Sequence, residues 1–321
     1  MEGRLEYQIS TIAHDSYIDV CKGLSAVQSK GYGSTTKSGD LLTYICDFEF
    51  ITTGTTELTI YTAKENWVTK NAFKKWHALR DFMFKESGIS KRERGRYAGI
   101  IRPAFDPIHS AYYNNGAYNL KPYEETFSTA GGGTPDAWVW EAASTMAMGD
   151  WGGAGGASEV PTQIVIETNP DSPDTTSETD QFALHICGPH VNNLTGATGA
   201  DQNWDSVGML FGYMADRSHP TAEPDDPVDF RNNPLALLKG RSESVYETAT
   251  IAEGQASLTP PYDIQSSGDM VNPVLGGFLV TTASGQQITR AYGVRIPAGV
   301  CMLTASATCD FRVTVRRIET A

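Results

Sequence analysis

The stretch Leu41–Phe50, "LLTYICDFEF", alternates apolar and polar side chains with a period of two. Leu42, Tyr44, Cys46, Phe48 and Phe50 fall on one face, with Thr43, Asp47 and Glu49 on the other. That is the pattern of a strand with one side against a core and the other against water. The turn-rich link "TTGTT" follows, then "ELTIYTA" (57–63), rich in β-branched residues. Together they predict a β-hairpin.

The same signal recurs downstream. "TQIVIETN" (162–169), "QFALHICG" (181–188), "NPVLGGFLVTTAS" (272–284), "ITRAYGVRIPAG" (288–299), "VCMLTASA" (300–307) and "CDFRVTVRRIE" (309–319) all read as strands. The last sets Phe311, Val313 and Val315 against Arg312, Thr314 and Arg316. Gly-rich runs such as "GGGTPD" and "GDWGGAGGAS" are connections. No Gly-Lys-Ser/Thr follows either, so they are not phosphate cradles.

Two segments break the β pattern. Around "NAFKKWHALRDFMFKESG" (71–88), Val68, Ala72, Trp76, Leu79 and Met83 recur at helical spacing, and Phe73 and Phe82 widen the stripe. Lys70, Lys74, Lys75, Arg80 and Lys85 lie mostly off it. With Asn66 or Thr69 as N-cap and Gly88 just past the end, a helix is predicted over about 68–87. "WDSVGMLFGYMADRSHP" (204–220) predicts a second helix over about 205–218, with Asp205 as N-cap and Pro220 as the stop. Its stripe is Val207, Leu210, Phe211 and Met214. Gly208 and Gly212, one turn apart, allow close approach of another backbone.

The composition bounds the functional classes. Of 321 residues, 40% are hydrophobic, enough for packed cores and too many for a disordered chain. No apolar run reaches the length of a membrane span. The opening "MEGRLEYQIS" has no apolar core, so no signal or transit segment is expected. The five cysteines, at 21, 46, 187, 301 and 309, form no C-x-x-C pair, and reduced buried thiols are expected. A net charge of −13 gives no reason to expect general nucleic-acid binding, yet residues 64–102 hold 11 basic and 4 acidic side chains. That segment reads either as a solvated helix face or as a surface for phosphates.

No residue is assigned to catalysis, to a cofactor or to a metal. "HICGPH" places His185 and Cys187 on one strand face with His190 beyond a Gly-Pro turn, three soft ligands where a structural zinc needs four. His14 and Asp15 are adjacent, so on a strand they point opposite ways and form no dyad. Asp225, Asp226 and Asp229, with the acidic run "NPDSPDTTSETD", offer hard oxygen ligands for calcium without an EF-hand spacing. Trp138, Trp140 and Trp151, near Gly-rich loops, suit sugar stacking or core filling. Asn193-Leu-Thr195 matches a glycosylation sequon, which without a secretory signal reads as chance.

Many short strands with Gly- and Pro-rich turns point to sandwiches or barrels, and two helices are too few for a parallel α/β sheet. A jelly roll of eight strands needs about 130–170 residues, so two fit the chain. The fold class expected is all-β: two tandem eight-stranded jelly rolls, each with a flanking helix. The division is 1–150 and 151–321, with the boundary inside 125–160.

"WVTKNAFKKWHALRDFMFKES" and "DSVGMLFGYMADRS" as flanking helices, and the strand-rich ending "GVRIPAGVCMLTASATCDFRVTVRRIE", give the chain a layout that resembles the double jelly-roll major capsid proteins of tailless icosahedral, membrane-containing bacteriophages. The resemblance covers essentially the whole chain as layout. It implies a virion structural protein without enzymatic activity, made in a host cytoplasm. It implies a homotrimer forming pseudo-hexameric capsomers that tile an icosahedral shell around an internal membrane. The partners implied are neighbouring capsomers and the penton and minor capsid proteins. Lipid head groups or the genome would meet the basic segment 64–102. Two alternatives stand beside it: a carbohydrate-binding β-sandwich surface protein and a β-sandwich hydrolase.

Overall fold

The computed structural model describes residues 3–9, 16–51, 55–86, 88–90, 92–94, 100–111, 118–120, 122, 163–167, 179–188, 191–194, 204–218, 275–282, 288–307 and 309–321. These residues are mostly strands in antiparallel sheets, with few helices.

The strands near the start of the chain are β1 (Gly3–Ile9), β2 (Ser16–Asp19), β3 (Leu42–Ile51) and β4 (Thr56–Ala63). Those at its end are β9 (Leu275–Thr282), β10 (Ile288–Pro297), β11 (Val300–Ala305) and β12 (Cys309–Thr320). The two groups pair with each other. β4 runs antiparallel to β9, β3 to β10, β2 to β11 and β1 to β12. This is one long antiparallel hairpin whose two arms travel together. The added pairs β12·β3 and β11·β4 wind it into two four-stranded sheets, an outer one ordered β1-β12-β3-β10 and an inner one ordered β2-β11-β4-β9.

One expectation is corrected here. β3 and β4 do not form a hairpin, because β3 lies in the outer sheet and β4 in the inner one. Each strand finds its partners on the other arm. Residues 3–63 alternate with residues 275–320 in both sheets, and the chain between them is an excursion from β4 to β9.

The alternation read at Leu41–Phe50 fixes which way β3 faces. Tyr44, Cys46, Phe48 and Phe50 point into the space between the sheets, where they meet Leu5, Leu58, Ile60, Leu303, Phe311 and Val313, all buried. Phe48, Phe50 and Phe311 form an aromatic group with centroids 5.8–6.5 Å apart. The outer sheet turns its other face to water. The inner sheet is covered on both sides, as its sequence shows: "SYID" of β2 is buried at every position, and β11 is apolar on both faces.

The far side of the inner sheet carries a second core. Helix α2 (Trp67–Glu86) lays Val68, Ala72, Phe73, Trp76 and Leu79 into it, so the predicted helix is present with most of its stripe, whereas Phe82, expected on that stripe, is 42% exposed because its position turns away from the core. A third sheet, ordered β5-β6-β8-β7, supplies Leu184 and Val207. Its strands are β5 (Gln163–Glu167), β6 (Thr179–His185), β7 (Val191–Leu194) and β8 (Trp204–Gly208), with β6 and β8 parallel. The helix expected over 205–218 begins later, because Trp204–Gly208 is strand β8 and the helix proper runs Met209–Ser218 (α4). Asp205 is therefore a strand residue and not an N-cap.

Two further helices are α1 (Val20–Gln28), capped by Asp19, and the short α3 (Pro107–Ala111). Residues 100–111 and 118–120 tie the layers together. Ala104 bridges to His185 of β6, and Asn119 bridges to Tyr17 of β2.

Candidate functional site

The first place to look for chemistry is "HICGPH". Cys187 and His185 are both buried. The amide of Cys187 donates to the Phe105 carbonyl (2.7 Å), and His185 Nδ1 lies 2.5 Å from Ser206 Oγ on β8. Burial, with the Asp106 charge adding, pushes the Cys187 thiol far above its ordinary value. It stays protonated, so it is neither a nucleophile nor a ready metal ligand. Gly188 has φ +97°, and a Cβ there would meet Pro107 Cδ at 2.7 Å, so the turn is pinned against α3. Among the described residues no group of three or more His, Cys, Asp or Glu is placed to hold a metal ion. All five cysteines are buried and free of disulfides. His14, Asp15, Trp138, Trp140, Trp151, His190, Asp225, Asp226 and Asp229 lie outside the described residues.

The polar groups that do converge are Asp106 and His109 beside Tyr17, and the sequence reading passed over them. Asp106 caps α3 by accepting from the His109 amide (2.7 Å), and its other oxygen accepts from Tyr17 Oη (2.8 Å). His109 stacks on the Tyr17 ring at 4.5 Å, and its Nδ1 accepts from the Phe105 amide at 2.9 Å. With Nδ1 an acceptor, the ring proton sits on Nε2. Burial, together with the Lys22 charge, lowers the His109 pKa from 6.5 to about 3. The signal was present as Asp106-Pro107, a cap residue followed by proline at the first helical position.

A pH dependence follows. The unfolded chain protonates His109 near pH 6.5, while the folded chain stays neutral there down to about pH 3. The unfolded state therefore binds more protons across that window, and stability is lost as pH falls through it. At pH 5 the expected loss from this group is about 2 kcal/mol relative to pH 7. Urea titrations at the two pH values measure it, and His109→Gln should show a smaller pH difference than the wild type.

Next to this cluster lies a buried ion pair. Arg102 Nη1 is 3.6 Å from Asp19 Oδ2, and both side chains are 5% exposed. Asp19 Oδ1 caps α1 by accepting from the Lys22 amide (2.8 Å), while Arg102 Nη2 donates to Ser25 Oγ and to the Tyr32 carbonyl.

The basic segment 64–102 thus divides. Arg102 is internal. Arg80 donates to His77 Nδ1 (2.8 Å), whose Nε2 lies 2.5 Å from Thr35 Oγ1, and burial lowers the His77 pKa to about 4. Arg94 pairs with Asp81 (3.2 Å) and lies over the Phe84 ring, and Lys74 pairs with Asp40 (3.2 Å). Arg96 lies outside the described residues. Among the described residues of the segment, Lys64, Trp67, Lys74, Phe82, Lys85 and Arg92 are exposed, with Trp67, Lys74, Phe82 and Lys85 on α2.

The second surface is the open face of the outer sheet. Glu49 is held between Arg290 (2.9 Å) and Arg312 (3.1 Å), its cross-strand neighbours, and both draw its carboxyl below the usual range. Arg295 bridges Glu65 (2.7 Å) and Glu319 (3.2 Å). Both strands flanking β3 have register shifts beside Cys46, between Ala291 and Val294 in β10 and between Val315 and Arg317 in β12. Asp47 secures that irregularity by accepting from the Gly293 amide (2.8 Å) and pairing with Arg316. The result is an outward Tyr292, 61% exposed, with the Arg316 guanidinium 5.6 Å from its ring centre. Tyr and Arg are the residue types that anchor protein interfaces, and bulges re-aim side chains.

Among the described residues no helix is long and apolar enough to cross a membrane. No protein-family model, curated protein or solved structure matched the chain.

Proposed function

We propose that the chain is a structural shell protein, a major capsid subunit that works by shape and by its contacts with copies of itself. The observation that carries this reading is the strand order. The pairs β1·β12, β2·β11, β3·β10 and β4·β9, wound into β1-β12-β3-β10 and β2-β11-β4-β9, have the connectivity of a jelly roll, an architecture used by viral capsid and lectin domains. In this reading the roll is closed by both ends of the chain. The excursion between β4 and β9 carries α2, α4 and the third sheet as an inserted unit.

A structural role also accounts for the polar clusters. His77, His109, His185 and Cys187 are buried and engaged in packing, and the outer face offers stiff, charge-compensated strands with an aromatic-arginine knob. Three copies would then associate with closed symmetry into a capsomer, and capsomers would tile a shell. No catalytic step, cofactor or metal enters this reading.

The test is the assembly state of the full chain. Light scattering should give a species of three times the 34.8 kDa chain mass, with larger closed particles visible by electron microscopy. A concentration-independent monomer would overturn the proposal. If that monomer also lost tryptophan fluorescence on adding sugars, the carbohydrate-binding alternative would replace it.

A further inference from the structure

We infer that the loop tip 35–40 is an acid-released latch on helix α2, with His77 as the group that senses pH. The latch lies apart from the strand order that carries the shell reading and does not rest on it.

The tip is a small preformed turn. Thr35 bridges to Leu41, the Thr36 amide donates to the Asp40 carbonyl (2.8 Å), and the Gly39 amide donates to the Thr36 carbonyl (3.1 Å). Its underside is backbone. Gly39 has φ +89°, and a Cβ there would stand 3.0–3.4 Å from the Cβ, Cγ and Cδ2 of His77. The turn therefore lies directly on the imidazole, which is 4% exposed. His77 follows Trp76 on α2, and that helix is anchored in the second core. When the contact opens, the tip is the part that moves. Leu41, buried in the same core, limits the movement.

Hydrogen-bond direction makes this contact depend on protonation. A guanidinium has no acceptor, so Arg80 Nη2 must donate to His77 Nδ1 (2.8 Å). The ring proton is then on Nε2, which donates to Thr35 Oγ1 at 2.5 Å. Both ring nitrogens are used in the neutral form. A second proton, on Nδ1, sets two donors and two positive charges against each other beneath a turn that keeps water out. The charged groups around the contact are Arg80, Asp81 and Lys74 on α2, Asp40 on the tip, and Arg94 from the segment after the helix. Asp81 and Asp40 favour the imidazolium, but each already faces a cation: Asp81 meets Arg80 and Arg94, and Asp40 meets Lys74. The Lys74–Asp40 pair is a surface pair, too weak to hold the tip by itself. Burial, with the Arg80 charge adding, lowers the His77 pKa to about 4 while the tip is down. Once the tip lifts, the ring returns to its ordinary value of 6.5, so the lifted form binds the extra proton between the two values. Acid therefore favours the lifted form.

The experiment follows amide hydrogen exchange of the full chain between about pH 7.5 and pH 5, corrected for the intrinsic exchange rate. A turn this short does not hold its bonds alone, so the Thr36, Gly39 and Asp40 amides report lifting. Their opening equilibrium should rise about thirtyfold on going to pH 5, while the amides of β3 stay far more protected. His77→Gln, which does not titrate, should cut the rise to about threefold or less. Gly39→Ala should open the tip about fivefold or more at neutral pH, through its positive φ and the His77 contact, and keep the wild-type pH slope. In the wild type the His77 ring resonances should titrate at about 4. A wild-type rise below about threefold, a full rise in His77→Gln, a ring that titrates near its ordinary value, or loss of protection in β3 in step with the tip would each overturn the inference. The ring titration and the wild-type exchange need no variant, so they decide the matter even where His77→Gln fails to fold.

Discussion

Replacing Arg102 by alanine is expected to lower the unfolding free energy by about 3–5 kcal/mol. Arg102 and Asp19 are each only 5% exposed, so removing the guanidinium leaves a carboxylate buried without its countercharge. The Tyr32 carbonyl and Ser25 hydroxyl lose a donor at the same time. The damage should be cooperative rather than local. Arg102 belongs to the segment that bridges β6 through Ala104, while Asp19 caps α1 and closes β2. Urea unfolding should show a lower midpoint with an unchanged slope. The double variant Asp19→Ala/Arg102→Ala should lose less than the sum of the two singles, because the second change removes the charge that the first strands. A loss below about 1 kcal/mol for Arg102→Ala, the range of a surface pair, would show that the pair is not buried in solution.

Trp76→Ala should be comparably severe, at about 3–5 kcal/mol. Trp76 is 1% exposed and is among the largest fully buried side chains described. It sits where α2 meets the far face of the inner sheet, in the core shared with Leu184, Val207 and Leu210. Alanine there opens a cavity between the sandwich and the inserted elements. Trp76→Phe separates size from polarity. The indole Nε1 has no hydrogen-bond partner among the described residues, so phenylalanine removes an unpaired buried donor while keeping most of the apolar surface. Its expected loss is about half that of alanine or less. Thermal denaturation of the two variants side by side gives the comparison, and equal losses would point to the ring edge and not the cavity.

The candidate surfaces were only partly legible beforehand. The positive segment 64–102 could be counted from the sequence, and the helix through its middle follows from Val68, Ala72, Trp76 and Leu79. Which of its cations remain outward could not be read there. Arg102 looks like any other arginine until β2 and α1 bring Asp19 beside it, and Arg94 and Lys74 find Asp81 and Asp40 only in the folded chain. Asp47 and Glu49 were placed on the solvent face of β3, and their pairing with Arg316, Arg290 and Arg312 needs the register of both neighbouring strands. Burial likewise separates His185 and Cys187 from chemistry, although their spacing alone suits a ligand pair.

By itself the sequence determined the class and the faces. Period-two alternation marked β3 and β12, and three- and four-residue spacing marked α2 to within a residue at each end, because both signals arise from neighbours a few positions apart. Only the tertiary structure decided partnership. Glycine 3 lies opposite Val315, and β4 takes up β9 across the whole inserted stretch. A strand's own pattern says which side is apolar and not whose edge it will meet, since the pairing hydrogen bonds come from backbone groups that are alike at every position. The same limit explains "WDSVG": its apolar spacing fits a helix, but β6 and β7 on either side claimed it as the strand β8.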